Sequence, residues 1–493
     1  MQKKVALCVK HAVLVYARKI CYAFAMKEQV GIYECIVVAG IFLLLFLYSI
    51  GKPLCVACFF DVQNSPSLYG AFQGQGVVVT EPEVAVKYQR FTISIPRQER
   101  TMGVSPWENF SKNPAHVMSG AEQIPTPLRA WESIAGQKAL VFLNRYIEIG
   151  YGDVLKIKGT LKAPINRGTF DYRAYLEQRD IKAIMYYPSV IVVGKITPSR
   201  VTRIAYTIKT FLRGPILKNF PEPHAGLILA MTLGDTWRIS QEFYTVLAAA
   251  GIIHLVSISG LHIAVIFSAL FFLFILLGFN RPIATYISLP IIAAYVFLVG
   301  YPASAIRSGL MGAIFFFGYI VGRAQRSFYI LLLSAFLMLL WDMRWFFDIG
   351  FQLSFAALLG LILIYPEMRK LIFPSVDNFI KNIIIGSFAV ELTLFPLLGY
   401  YFGRISLVSF FVNIIVLPPS AFWLILCLVV EITGFFTKPL LILTDYFIKI
   451  IYFFGDNKFS SISFAPFPLW FVLTYYVGLF IVLYLFSDNK RIL

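Results

Sequence analysis

Ionisable side chains are few in the second half of this sequence, and each sits in strongly apolar surroundings. Such a group inside a membrane-spanning helix costs about 2.5–3.5 kcal/mol on insertion scales, so each one needs a reason. His254 and His262 flank Leu255-Val-Ser-Ile-Ser-Gly-Leu261. Arg307 lies in Ala303-Ser-Ala-Ile-Arg-Ser-Gly-Leu-Met311, and Asp348 opens Asp348-Ile-Gly-Phe-Gln-Leu-Ser-Phe355, with Gln352 one helical turn on and Ser354 behind it. Glu391 and Glu431 fall deeper in later apolar runs, and Asn413 precedes Pro418-Pro419.

Ser257, Ser259 and Gly260 between two histidines suggest a locally unwound helix. Irregular backbone at membrane depth is tolerated only where protein buries it or water reaches it. The plainer alternative is a Ser/Gly helix contact with hydrogen-bonded histidines. Pairing Arg307 with Asp348 or Glu391 is the simplest way to neutralise both signs. On this basis His254, Ser257, Ser259, Gly260, His262, Arg307, Asp348, Gln352, Ser354 and Glu391 are the expected lining of a translocation path.

Catalysis has weaker support. Ser257 or Ser259 beside a histidine could serve an intramembrane hydrolase or a lipid-modifying enzyme, but neither lies in a G-x-S-x-G elbow. His254 and His262 have no ligand spacing that one helix face provides. No Walker loop, Rossmann glycine pattern or DxD-type cluster appears. The sequence therefore predicts no catalytic residue, no metal and no cofactor. A small-molecule transporter remains a third reading.

These residues need helices to position them, and the composition supplies the solvent. The chain has 493 residues, of which 58% are hydrophobic and 14% charged, with mean hydropathy +0.74. Soluble domains run nearer a quarter charged, so most of this chain has lipid as its solvent. A net charge of +17 fits basic cytoplasmic loops as well as nucleic acid. Of the cysteines, Cys55 and Cys58 have CxxC spacing with no second Cys/His pair to complete a zinc site, leaving a local disulfide or two free thiols. Basic residues from Lys3 to Lys27 precede an apolar run at about Val30–Ile50 that reads as a retained anchor.

Three zones follow: residues 1–60 with the basic lead and a first spanning helix, residues 61–205 as a soluble domain, and residues 206–493 as a polytopic domain. The soluble zone predicts strands at Gly76–Thr80, Val84–Ile95, Ala139–Leu143, Val154–Leu161, Ile181–Tyr187 and Val190–Val193, with a short helix over Phe170–Gln178. That order fits a small barrel of the OB type, with a β-sandwich as the alternative; Arg97–Gly136 reads as a long insertion. The apolar zone predicts spans at about 252–278, 283–300, 303–321, 327–341, 346–365, 381–402, 405–433, 438–455 and 467–486, giving about ten with the first. Ala225–Gly251 is too interrupted for a span and is expected to lie in the interface or re-enter. An even count puts both termini on one side. The positive-inside rule makes that side cytoplasmic, because Arg281, Arg323, Arg326, Arg369, Lys370, Lys381, Lys438, Lys490 and Arg491 share it, against Arg344, Arg404 and Lys458 opposite.

Gly251-Ile-Ile-His-Leu-Val-Ser-Ile-Ser-Gly-Leu-His262 resembles the signature of the ComEC-type competence proteins, inner-membrane channels of natural transformation. Leu229-Ala-Met-Thr-Leu-Gly-Asp235, Ile306-Arg-Ser-Gly-Leu-Met311 and Asp348-Ile-Gly-Phe-Gln-Leu-Ser-Phe-Ala-Ala357 are similar to other blocks of that family. Gly152-Asp153, Gly168-Thr-Phe-Asp-Tyr172 and Tyr175-Leu176 resemble the end of its OB-like domain, with Asn166-Arg167-Gly168 where Asn-Pro-Gly is usual. The resemblance implies a multi-pass inner-membrane channel for single-stranded DNA, with an extracytoplasmic OB-like barrel after the first helix. Implied partners are the strand, the lipid bilayer, a cytoplasmic motor and a separate nuclease, with a homo-oligomer also possible. Long family members carry a metallo-β-lactamase-like domain; this chain stops soon after Phe486 and its five histidines form no HxHxD cluster, so strand degradation is expected of another protein. Residues 51–200 hold eighteen Lys/Arg against twelve Asp/Glu. Arg90, Lys156, Lys158, Lys162, Tyr88, Phe170 and Tyr172 are candidate DNA contacts there, solvated strand faces and core aromatics being the plain alternative.

Overall fold

The computed structural model describes residues 70–95, 138–165, 172–196, 199–320, 326–372, 378–457 and 459–486, apart from residues 81, 85–87, 145, 146, 148 and 178. The first helix expected at Val30–Ile50, Cys55 and Cys58, the insertion Arg97–Gly136 and Phe170 lie outside these. The chain divides into two units, at residues 64–206 and from residue 207 onward.

In the first unit the strands are β1 (Gly70–Val78), β2 (Glu83–Val84), β3 (Tyr88–Ser94), β4 (Lys138–Asn144), β5 (Asp153–Lys162), β6 (Ile181–Tyr186) and β7 (Ser189–Lys195). Alternation creates the core. On β5, Leu155, Ile157 and Leu161 are buried while Lys158, Thr160 and Lys162 are exposed, the period of two that a pleated strand imposes. Each buried aliphatic contributes roughly 1.5–3 kcal/mol. Pairings run β1–β3, β3–β4, β4–β6, β6–β5 and β5–β1. That sequence of neighbours returns to its start, and β4–β6 is its parallel pair. Helix α1 (Tyr172–Glu177) covers the outer faces of Leu140, Ile181 and Ile184 with Leu176, and Phe142 and Tyr172 pack at the rim of that patch.

Helix α2 (Arg200–Asn219) leads into the second unit, whose helices are α3 (His224–Leu233), α4 (Gln241–Ala250), α5 (Ile253–Val256), α6 (Gly260–Leu276), α7 (Arg281–Leu298), α8 (Ala303–Ile320), α9 (Ser327–Trp341), α10 (Ile349–Leu371), α11 (Phe379–Phe402), α12 (Ser409–Thr433), α13 (Thr437–Gly455) and α14 (Leu469–Phe486). Four of them, α7, α10, α11 and α12, are long and apolar enough to cross a bilayer, with 18 to 25 residues and mean hydropathy from 1.5 to 2.2. Twenty-five residues rise about 37 Å, more than the roughly 30 Å of a hydrocarbon core. Helices α3, α6, α8, α9 and α14 are apolar but shorter over their described parts.

The interrupted stretch 225–251 is α3 and α4. Residues 225–233 of α3 are all buried, so this helix is enclosed by protein. Ten residues rise about 15 Å, half a bilayer core. Gly234 ends α3 in the left-handed conformation, its N–H returning to the Ala230 carbonyl at 3.1 Å, as helix ends of this kind do. Serine caps the next start: the Phe243 N–H donates to Ser240 Oγ at 3.2 Å.

Six helices lie within two residues of the expected spans. Three begin later than expected, each for a local reason. Residues 257–259 are not helical; residues 343–347 form a short 3-10 turn before Asp348; and Arg404–Ser406 is a strand, β8, paired with β9 (Ser461–Ser463). Helix α10 also runs beyond residue 365, through a widened π turn at Gly360–Ile364.

Candidate functional site at the broken helix

Helix α5 is a single turn, after which Ser257 (φ −82, ψ 130) and Ser259 (φ −109, ψ 176) are extended, and α6 starts at Gly260. Serine favours such breaks because its hydroxyl competes for backbone partners. Gly251, left-handed at φ 77, ends α4 just before. No side chain fits there in any case: a Cβ would stand 2.3 Å from Ser409 Cβ.

The polar groups of the break are satisfied from two directions. The Ser304 hydroxyl of α8 donates to the Ile258 carbonyl at 2.6 Å. The Ser259 N–H donates to His262 Nδ1 at 3.0 Å, and the Ser259 hydroxyl lies 2.9 Å from the same nitrogen. This is a capping arrangement in which histidine takes the place of the usual Glu or Gln at the third helical position. His262 is 2% exposed. Its Nδ1 accepts from the backbone, so it is committed to holding the start of α6, which weakens the case for a Ser259–His262 nucleophile and base. His254 and Ser257 are exposed. Among the described residues no three His, Cys, Asp or Glu side chains gather as a metal site.

Arg307 is 7% exposed and points at the start of α6. A Cβ on Gly260 would stand 2.7 Å from Arg307 Nη2 and 2.7 Å from Ser308 Oγ; only glycine lets the guanidinium lie against this turn. Nη1 donates to the Ser354 carbonyl, Nη2 reaches Ser308 Oγ at 3.3 Å, and the group lies 5.6 Å from the centre of the Phe355 ring. Buried Nε has no partner among the described residues.

The expected pairing of Arg307 with Asp348 or Glu391 is not what the structure contains. Asp348 caps α10, its carboxylate accepting from the Phe351 N–H at 2.8 Å. Gln352 donates to the Phe346 carbonyl at 2.9 Å and accepts from the Tyr401 hydroxyl. Glu391 accepts from the Ser409 hydroxyl. Each carboxylate is thus held by donors near it in the fold. Ser354 enters the site through its carbonyl, not its hydroxyl. Glu431, 0% exposed, belongs to a different cluster, accepting from Thr232, whose carbonyl takes the Tyr295 hydroxyl at 2.6 Å.

The candidate DNA contacts scatter over the first unit. Lys158 and Lys162 are exposed and Lys156 is half-buried, all on the outward face of β5. Tyr172 packs in the small cluster under α1 and is a core aromatic first; nothing is described of the Tyr88 side chain. Arg90 stands in register with Phe142, and Phe142 with Tyr186. The last two rings stack at 5.1 Å, with Tyr186 46% exposed. Phe142 and Tyr186 were missed by sequence reasoning. Their signal was an aromatic at the outward phase of strands whose other phase, Val141, Leu143, Ala183 and Met185, is core. Ser304 and Ser308 were also missed, because a serine on an apolar helix carries no mark of which backbone group it serves.

Residues 231–489, more than half of the chain, match the profile of the Competence family, described as competence protein. The chain is 27% identical over 395 residues to ComE operon protein 3 of Bacillus subtilis (strain 168), an alignment covering 77% of this chain and 46% of that protein. The chain thus matches about half the length of this curated relative. No solved structure matches it.

Proposed function

The chain belongs to the competence protein family, and on that premise we propose that it passes single-stranded DNA inward across the cytoplasmic membrane during transformation. The observation that carries this reading is the broken helix at 257–259. It puts a non-helical segment with exposed His254 and Ser257 just before the helix start against which Arg307 lies, a buried arginine that has no counter-ion among the described residues. A pore for a polyanion needs irregular backbone lined by polar groups and cations, and protein-enclosed breaks are where membrane proteins place it.

The first unit is proposed as an OB-type barrel. The ring of neighbours β1–β3–β4–β6–β5, its parallel β4–β6 pair and the helix before β6 support that reading over a sandwich. Such barrels bind strands on an outward face with basic groups and stacking rings, and the row Arg90, Phe142, Tyr186 has both. The motor and nuclease expected from the resemblance are proposed as separate partners.

The test is uptake of end-labelled DNA into a DNase-resistant pool, by transformable cells with and without this gene. Loss of the pool on deletion, restored by the intact gene, is expected. Uptake unchanged by deletion would reject the channel. Ser259→Ala supplies the comparison with a hydrolase, which would lose an enzymatic activity while leaving uptake intact.

A further inference from the structure

The start of α6 and the Arg307 guanidinium are two positive sources pressed together inside an apolar bundle. A helix start carries about half a positive charge, and its first N–H groups have no acceptor within the helix. The guanidinium adds a full charge that arginine does not give up. Gly260 is the residue that lets them meet: a Cβ there would overlap Nη2 and Ser308 Oγ, both at 2.7 Å. Neither charge is balanced locally, since Asp348 and Glu391 are engaged elsewhere and no ion pair to Arg307 occurs among the described residues. Arg307 is only 7% exposed, and its Nε has no partner among the described residues. Beside the turn Ser257 and Leu261 are exposed; the His262 N–H is capped by the Ser259 side chain and the Ile263 N–H by the Ser259 carbonyl, which leaves the Gly260 and Leu261 N–H groups for a ligand.

We infer that Gly260, Arg307 and Ser308 with the first turn of α6 form a seat for one phosphate group of a phosphodiester. Helix starts bind oxyanions through backbone N–H groups and the helix dipole, and arginine adds planar, charge-assisted donors to phosphate. Ser308 is poised for this: its hydroxyl donates to the Ser304 carbonyl at 2.9 Å and accepts from Nη2, which orients the guanidinium. The phosphate can come from a translocating strand or from a lipid headgroup. The choice of the strand rests on the proposed function; the existence of the seat does not.

The experiment uses the full chain in phospholipid-free detergent. Three probes are titrated: a thymidine oligonucleotide with phosphodiester links, the same oligomer with uncharged methylphosphonate links, and inorganic phosphate alone. Arg307→Gln, Arg307→Lys and Gly260→Ala are compared with wild type, with thermal unfolding run on each. The seat predicts at least tenfold weaker binding of the phosphodiester oligomer for Arg307→Gln and Gly260→Ala, a smaller loss for Arg307→Lys, and no dependence on these changes for the uncharged oligomer. Wild-type affinity in a normally folded Arg307→Gln overturns the proposal. Where Arg307→Gln does not fold, Gly260→Ala decides, since it keeps the charge and only displaces it; unchanged affinity there also overturns the seat. Phosphate binding that depends on Arg307, without oligomer binding by wild type, supports the seat and rejects the strand as occupant. Displacement of the oligomer by added phosphatidylglycerol identifies the headgroup as a competing source of the same chemistry.

Discussion

The two histidines that flank the break have different neighbours, and so different expected phenotypes. His262 is enclosed and its Nδ1 accepts the Ser259 N–H. His262→Leu removes that acceptor and strands a backbone donor, a loss of about 1–3 kcal/mol. His262→Gln places the usual capping-box side chain at the same position. We therefore expect Leu to lower both membrane abundance and uptake, and Gln to restore most of both. Abundant but inactive His262→Gln protein would show that the imidazole does more than hold the break. His254 is exposed, so His254→Leu is expected to leave abundance within the small range typical of exposed positions while reducing uptake. Immunoblots of membranes alongside the uptake assay separate these outcomes.

Among elements, α2 is tied to the turn that follows α3 by a buried ion pair. Arg213 Nε and Nη2 donate to the two carboxylate oxygens of Asp235 at 2.6 and 2.8 Å, and Lys209 lies 3.7 Å away. Removing one member of a buried pair leaves the other charge uncompensated, at a cost of about 3–5 kcal/mol. Asp235→Ala should therefore sharply lower the unfolding temperature in detergent, and Asp235→Asn should lower it less because it still accepts. A shift below a degree for Asp235→Ala would mean that the pair carries little of the packing. This pair also marks the limit of what the sequence reveals. Long runs such as 327–341 were legible because hydropathy alone decides where lipid-facing helices lie. The non-helical starts at 257–259, 343–347 and 404–406 were not. They depend on Ser304, Asp348 and a β9 strand fifty-five residues away in sequence at Ser461, none of which alters local hydropathy. The alternation of β5 predicted its buried face, but not that Phe142 and Tyr186 would meet across β4 and β6.

At the scale of the molecule the open quantity is sidedness. In the span order read from the sequence, Arg281, Arg326, Arg369, Lys370, Lys381 and Lys438 fall on one side, against Arg344, Arg404 and Lys458 on the other. Basic residues near span ends are retained in the cytoplasm, because carrying them across during insertion is disfavoured. With an even number of crossings, as we propose, both termini would lie inside and the first unit outside. The function proposed here requires that result, since the row Arg90, Phe142, Tyr186 can meet incoming DNA only if it faces the outside. Single cysteines introduced as Ser111→Cys and Ile492→Cys, with the native cysteines replaced, test both ends against a membrane-impermeant maleimide. We expect Ser111→Cys to react in intact spheroplasts and Ile492→Cys to react only after permeabilisation. If Ser111→Cys reacts only after permeabilisation, the first unit is cytoplasmic and cannot be a receptor for incoming strands. It would then contact DNA only after passage, and the salt-dependent strand binding expected of its basic outward face would have to serve capture on the inner side.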